Sequence, residues 1–365
     1  MSLKCGIVGL TNSGKTTMFN CISNTKAVTT EFAYSTNKSN IGVCPVPDER
    51  LAHINTFIPA EKLVYATLDV VDIPGLAKGA SQGEGIGNSF LADVRLCDAL
   101  IHVIRCFDNP NMPHVEGSID PVRDIEIIDF ELQVKDLEQI ERKIQKVEKA
   151  AKVGDKNAKR DLEILFKYKT HIENFQNIRT LEVTEEERSV VADMMLLTEK
   201  PMMFVCNVND NDAVKGNVYV DKVREYLNEQ GITPLVIAAK IESEIAELEN
   251  EEDRKDFLSD VGLSEPGVNK VIKEAYSLLK LISFFTVGGK ENRAWTIRKG
   301  MLAPQAAGSI HSDLERGFIR AEVIKYNDLK TYGSELKCKE AGKLSVEGKN
   351  YEVQDGDILH IRFNV

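Results

Sequence analysis

The sequence predicts an α/β protein: a P-loop domain built on a mostly parallel sheet, an antiparallel α-helical hairpin inserted into it, and a smaller α+β domain at the carboxyl end. Three observations predict it. Short apolar runs at 4–10, 68–72 and 99–106 alternate with polar loops and helical spacing, as buried parallel strands joined by crossover helices do. Apolar residues then recur at 3-4 spacing on both sides of Gly154-Asp155. From about residue 282 the texture changes to short strands separated by glycine turns.

In chain order, residues 4–10 form the first strand and lead straight into Thr11-Asn12-Ser13-Gly14-Lys15, a turn that opens a helix. The first helix of the hairpin carries Leu137, Ile140, Ile144, Val147 and Ala151 on one seam; the second carries Ala158, Leu162, Leu165, Tyr168, Ile172 and Phe175. Between Arg142 and Arg160 stand eight Lys/Arg against two Asp/Glu, so the tip is net positive. Runs 202–206 and 235–239 resume the parallel-strand pattern, which makes the hairpin an insertion. An acidic helical stretch at 242–260 and a segment at 263–281 close the domain. Strands at 284–287, 294–297, 319–324 and 358–363 build the last domain. The expected division is 1–122 with 200–281, then 123–199, then 282–365.

Composition excludes several classes. The chain has 365 residues and a formal charge of −11, from 46 Lys/Arg and 57 Asp/Glu, so basic binding of nucleic acid by the whole molecule is disfavoured and only a local patch remains. At 42% hydrophobic and 28% charged it reads as globular rather than disordered. No run approaches the ~18 apolar residues of a membrane span. Seven cysteines show no CxxC pair, which reads as reduced thiols in a cytoplasmic protein, not as a zinc site or disulfide frame. The six histidines form no cluster, and Trp295 reads as a core or interface aromatic.

Gly9-Leu10-Thr11-Asn12-Ser13-Gly14-Lys15-Thr16 fits the phosphate-loop pattern GxxxxGK(S/T), here after an apolar strand and before a helix, as the motif requires. Glycines let backbone N–H groups turn around phosphate oxygens, and the helix N-terminus adds partial positive charge. Lys15 is expected to bridge the β- and γ-phosphates, and the Thr16 hydroxyl to ligate Mg²⁺. Asp72-Ile73-Pro74-Gly75 ends a strand as DxxG: Asp72 is expected to hold Mg²⁺ and the Gly75 N–H to meet the γ-phosphate. Together they point to a switch nucleoside triphosphatase. Thr36, between the two motifs, is either the threonine that completes the Mg²⁺ shell or an ordinary loop residue. Leu76 stands where many such enzymes place a water-orienting glutamine, so turnover is slow or another group takes that part. Asn12 is either a turn former or a helper for K⁺ beside the phosphates.

Asn207-Val208-Asn209-Asp210 follows the strand at 202–206, where guanine-specific proteins carry Asn-Lys-x-Asp. Val208 replaces the lysine, and Asp210 keeps the fourth position. Asn209 to Asp212 overlaps as a second match, but Asn207 sits directly at the strand end. Ala238-Ala239-Lys240 fits the last base-contacting loop.

At this point the chain resembles the YchF/Obg-like ATPase family across essentially its whole length. The likeness rests on 4–10 (KCGIVGL), 72–87 (DIPGLAKGASQGEGIG), 294–297 (AWTI), 303–308 (APQAAG) and the end, Phe363-Asn364-Val365. The resemblance implies a G domain, an inserted antiparallel coiled coil and a TGS domain of β-grasp type. It implies hydrolysis of ATP in preference to GTP, a hydrophobic residue in place of the catalytic glutamine, and association with ribosomes. Carried onto this chain, nucleotide contacts fall on Asn12, Ser13, Gly14, Lys15, Thr16 and Thr17, Mg²⁺ on Thr16 and Thr36, and the adenine contact on Asn207 and Val208. The family usually has a glutamate where this chain has Asp210, and a shorter carboxylate is nearer the guanine-reading arrangement.

The functional expectation is therefore a cytoplasmic, Mg²⁺-dependent ATPase with Lys15, Thr36 and Gly75 at the reacting phosphate. Its expected partner is the ribosome or a ribosomal subunit, with rRNA phosphates at the basic hairpin tip; neither membrane nor DNA is expected. The alternatives are a GTPase with the same chemistry, a nucleotide-gated binding module, and, for the tip, a plain solvated helix face.

Overall fold

The computed structural model describes residues 3–23, 39–75, 86–248 and 250–364. Thr36, Leu76 and most of the loop 76–87 lie outside the described residues.

The elements run β1 (Lys4–Val8), α1 (Lys15–Ser23), β2 (Asn40–Pro45), α2 (Glu49–Phe57), β3 (Lys62–Val64), β4 (Thr67–Asp72), α3 (Ile86–Arg95) and β5 (Ala99–Arg105). Then come α4 (Pro121–Lys152), α5 (Lys156–Glu173), α6 (Glu185–Val191), β6 (Met202–Asn207), α7 (Val218–Asn228), β7 (Leu235–Ile237), α8 (Ala239–Glu247), α9 (Glu251–Asp260) and α10 (Gly267–Leu278). The chain ends with β8 (Leu281–Thr286), β9 (Glu291–Arg298), α11 (Ala303–Ile310), α12 (Ser312–Arg316), β10 (Phe318–Lys325), α13 (Tyr326–Tyr332), α14 (Glu335–Glu340), β11 (Leu344–Glu347) and β12 (Asp357–Phe363).

Two compact units emerge, one of 1–42 with 69–271 and one of 43–68 with 272–365. The sequence had placed 43–68 with the phosphate-loop domain. The packing differs because α2 and β3 find their partners elsewhere: β3 pairs in parallel with β9, and Arg50 of α2 reaches Asp355 at 2.7 Å. His53 Nδ1 and the Tyr326 hydroxyl lie 2.8 Å apart.

The first sheet has the order β2-β4-β1-β5-β6-β7. β1 runs parallel to β4 and β5, and β6 runs parallel to β5 and β7. Every residue of β5 and of β6 is buried, which is why both read as continuous apolar runs. The register sets Ile7 beside Asp72, Val8 beside His102 and Arg105 beside Asn207. Parallel strands thus end along one edge, where doubly wound sheets bind ligands.

α4 is capped by Asp120, whose side chain accepts from the Arg123 N–H, and has Pro121 in its first turn. It runs for 32 residues, roughly 48 Å at 1.5 Å per residue. A turn at Gly154 (φ 97°) leads to Asp155, whose side chain accepts from Asn157 and Ala158 and starts α5. Ile140, Ile144, Leu165, Tyr168 and Ile172 close the hairpin core with Ile178, Val191, Met194 and Leu196. Phe175 is a correction to the expected seam. α5 ends at Glu173, and Phe175 stands beyond its cap, 74% exposed and at φ 58°.

The second sheet has the order β11-β10-β12-β8-β9-β3. Ala303, Ala306 and Ala307, on one face of α11, let that helix lie close upon Phe284, Ile297, Ala321 and Leu359 of the sheet. Trp295 packs at the edge of this cluster, its Nε1 donating to Thr286 Oγ1 at 2.9 Å.

Candidate nucleotide-binding site

The phosphate loop spans the end of β1 and the start of α1. Asn12 takes a left-handed conformation (φ 65°), and its Nδ2 donates to the Pro113 carbonyl at 3.3 Å. Those are the features of a turn residue, and no observation supports a potassium role for it. Gly14 has φ 95°, and a Cβ there would lie 2.2 Å from Asn207 Nδ2. Both the backbone and the neighbour therefore demand glycine. Ser13 is buried with an unpartnered hydroxyl, and Thr17 occupies the first turn of α1.

Lys15 is buried, and its Nζ donates to the Leu10 carbonyl at 2.8 Å. Burial pushes its ammonium down to about 8, while the Asp72 charge pulls the other way. The Thr16 hydroxyl donates to Asp72 Oδ2 at 2.9 Å. The other oxygen, Oδ1, is buried with no hydrogen-bond partner. Burial also raises the Asp72 carboxyl above the ordinary range, against the pull of Lys15, Thr16 and Asn40. A Cβ on Gly75 would stand 3.1 Å from Lys15 Nζ and 3.0 Å from Thr11 Oγ1, so the DxxG end is pressed against the loop. Four sequence-predicted residues, Lys15, Thr16, Asp72 and Gly75, are thus brought together. A threonine hydroxyl beside a carboxylate with an unused oxygen is the hard-oxygen donor set that Mg²⁺ takes, so these residues fit the ion. Thr36, the other expected ligand, lies outside the described residues.

At the other end of the crevice, Asn207 ties three segments together. Its Nδ2 donates to the Ser13 carbonyl at 2.9 Å, and its Oδ1 accepts from the Ala239 N–H at 3.0 Å. Val208 is 3% exposed and belongs to the core, with its N–H donating to the Ile237 carbonyl at 2.9 Å. Asp210 Oδ2 accepts from Lys240 Nζ at 2.9 Å.

Sequence reasoning missed Arg105. At the end of β5, it is buried, with Nη2 donating to the Met112 carbonyl at 2.8 Å and Nε to that of Phe107 at 3.2 Å. With Asn12 on Pro113, it holds 107–113 against the phosphate loop. The available signal was an arginine inside an otherwise apolar run. His102, in the same strand, is pushed down to about 4 by burial and stays neutral as a core residue beside Phe204.

A glycine cradle between strand and helix, facing an Asp-x-x-Gly strand end, defines a P-loop nucleoside triphosphatase of the switch type. Comparison with known proteins narrows the class. A family model described as 50S ribosome-binding GTPase matches residues 4–208. The YchF-GTPase carboxyl-terminal model, described as a protein of unknown function, matches 281–364. The chain is 48% identical to the ribosome-binding ATPase YchF of Haemophilus ducreyi and 47% identical to that of Bacillus subtilis, over 100% of each chain. It is also similar to the solved structure of the Schizosaccharomyces pombe YchF GTPase, with a TM-score of 0.87 and 36% identity over 99% of this chain and 98% of that one. The protein belongs to the YchF family and is a nucleoside triphosphatase.

Proposed function

We propose that the protein is a Mg²⁺-dependent ATPase that prefers ATP to GTP and associates with ribosomes or ribosomal subunits according to the nucleotide it holds. The observation that carries this reading is the meeting of Lys15, Thr16, Asp72 and Gly75 at one point on the sheet edge. Lys15 turns from the Leu10 carbonyl to the β- and γ-phosphates, and its burial strengthens its hold on charge that grows as the γ-phosphoryl leaves. Thr16 and the unused Asp72 oxygen would hold the cation, and Thr36 is the further ligand proposed for it. Magnesium, when bound, neutralises phosphate charge. The Gly75 N–H orients the γ-phosphate for attack by water in line. Leu76 cannot orient that water, so intrinsic turnover is low.

The base end supports adenine. Val208 turns its side chain into the core, so a base meets this residue through its backbone. Asn207 and Ser13 set the floor of the site. Guanine recognition needs a carboxylate for N1 and N2, and Lys240 already holds that of Asp210. The GTPase reading rests on the presence of that carboxylate.

For ribosomes, Lys146, Lys149, Lys156 and Lys159 are exposed at the hairpin tip and enter no ion pair among the described residues. They suit RNA phosphates, which bind by counterion release. The Haemophilus ducreyi and Bacillus subtilis relatives are named ribosome-binding ATPases, and a ribosome partner would put the protein to work in the cytoplasm. No helix of the described residues is long and apolar enough to cross a membrane.

Calorimetry with ATP, GTP and their non-hydrolysable analogues, with and without Mg²⁺, tests the reading. ATP binding tighter than GTP, and only weakly without Mg²⁺, is expected. Preference for GTP would select the GTPase, and silence with both would end the proposal.

A further inference from the structure

A second cleft lies at the root of the hairpin. Its volume is about 840 Å³, and it is walled by the first half of α4, the end of α7 and the turn that follows α5. On α4, Glu126, Phe130 and Gln133 stand at i, i+4 and i+7, which puts them on one helix face. Tyr226 of α7 and Glu229, just past its end, line the cleft with them, as does Phe175.

Two features set the cleft apart. The first is aromatic exposure. Phe130 is 45% exposed and Phe175 74%. Phe175 also sits just past a helix cap at φ 58°, where glycine is the residue of choice. Its Gln133-bonded carbonyl needs no aromatic side chain. An exposed ring on a strained backbone is costly in the free chain and is justified by a partner that covers it.

The second feature is charge. Arg123 is engaged by Asp124 and the Ser118 carbonyl, and Asp129 by Arg179 at 2.9 Å. Glu126 and Glu229 enter no hydrogen bond or ion pair among the described residues, and both are exposed. The Tyr226 hydroxyl is raised above its ordinary range, first by burial and then by Asp129, Glu126 and, despite Arg179, Glu229. The local field is therefore negative, opposite to that of the hairpin tip, and it repels nucleic acid.

We propose that this cleft is a docking site for a basic peptide segment of a partner protein, which places an arginine between Glu126 and Glu229 and against the faces of Phe130 and Phe175. Guanidinium suits such a site better than ammonium, because its planar fork meets carboxylates and stacks on rings. The site lies apart from the nucleotide crevice, and its failure would leave the ATPase reading untouched.

The test uses the full chain and a fluorescein-labelled peptide of alternating Arg and Leu, read by anisotropy. The controls are the same peptide with Glu for Arg and a short oligouridylate. The variants are Phe175→Gly, which relieves backbone strain, and the pair Glu126→Gln with Glu229→Gln; thermal unfolding and ATP hydrolysis report their folding. The Arg peptide is expected to bind the parent chain, and each variant to weaken it about tenfold while unfolding no earlier. Equal binding by parent and both variants would overturn the proposal. So would failure of the Arg peptide to bind, or oligouridylate binding that Phe175→Gly abolishes, which would make the cleft an RNA site.

Discussion

Two regions of the first unit each bury an aspartate, and they treat it differently. At the root of the hairpin, Asp136 is fully buried and accepts three hydrogen bonds, from the Leu197 N–H at 2.8 Å and from the Thr198 N–H and hydroxyl at 2.7 Å each. At the phosphate end, Asp72 is nearly as deep, yet one oxygen takes the Thr16 hydroxyl and the other takes nothing. A saturated buried carboxylate pins the chain as it returns from the hairpin. A half-used one is held open for something that binds. The difference between structural and functional burial is thus read from the partners of the oxygens, not from depth.

The sharpest way to break that comparison is to remove each side chain in turn. Asp136→Ala leaves three donors without their acceptor and is expected to lower stability by about 3 kcal/mol, measured by urea unfolding. Asp72→Ala is expected to leave stability unchanged or higher while abolishing the Mg²⁺ dependence of nucleotide binding. If both unfold alike, the distinction fails.

A pH experiment sharpens the phosphate end. Burial of Lys15 brings its folded value to about 8, below the 10.5 of the unfolded chain. The folded state therefore gives up this proton first. The burial penalty is felt in full below about 8 and disappears as pH rises toward 10.5, so this group favours folding more at high pH. Bound phosphates restore the charge. At pH near 9, nucleotide binding is expected to take up close to one proton, seen as calorimetric heats that differ between buffers of unlike ionisation enthalpy. Lys15→Met should remove the difference. Asp136 runs the other way. Burial outweighs its hydrogen bonds and lifts it to about 6, so its support for the fold is greatest below about 4 and weakens as pH climbs to 6.

The smallest effect expected is at the base end. Lys240 and Asp210 form an exposed pair, and such pairs are weak. Lys240→Ala should improve GTP affinity relative to ATP by about two- to fivefold, in competition against a fluorescent nucleotide. No change would remove the pair from base selection.

The candidate site was legible where its residues are neighbours in sequence. The 9–16 loop and the 72–75 strand end each carry their geometry in a few adjacent residues, so spacing sufficed. The hairpin was legible through its seams up to Ile172. Phe175 continued the spacing and misled it, because periodicity does not report where a helix is capped. Residues 43–68 were not legible as part of the second unit. β3 has three residues, none fully buried, and carries no apolar pattern that could announce its sheet. Arg105 showed only as an odd residue in a strand.

What the sequence determined alone is the local machinery: a phosphate cradle, a strand-end aspartate, two amphipathic helices and a net-positive turn. Each follows from residues close enough along the chain for backbone sterics and side-chain period to dictate the outcome. What only the tertiary structure decided is which distant groups meet. Asn207 reaches Ser13 across 194 positions, Lys240 takes Asp210, and Glu126 and Glu229 come to line one cleft. Those meetings depend on the order of strands in the sheet and the packing of α4 on its neighbours, and contacts so far apart in sequence leave no period for a linear reading to find.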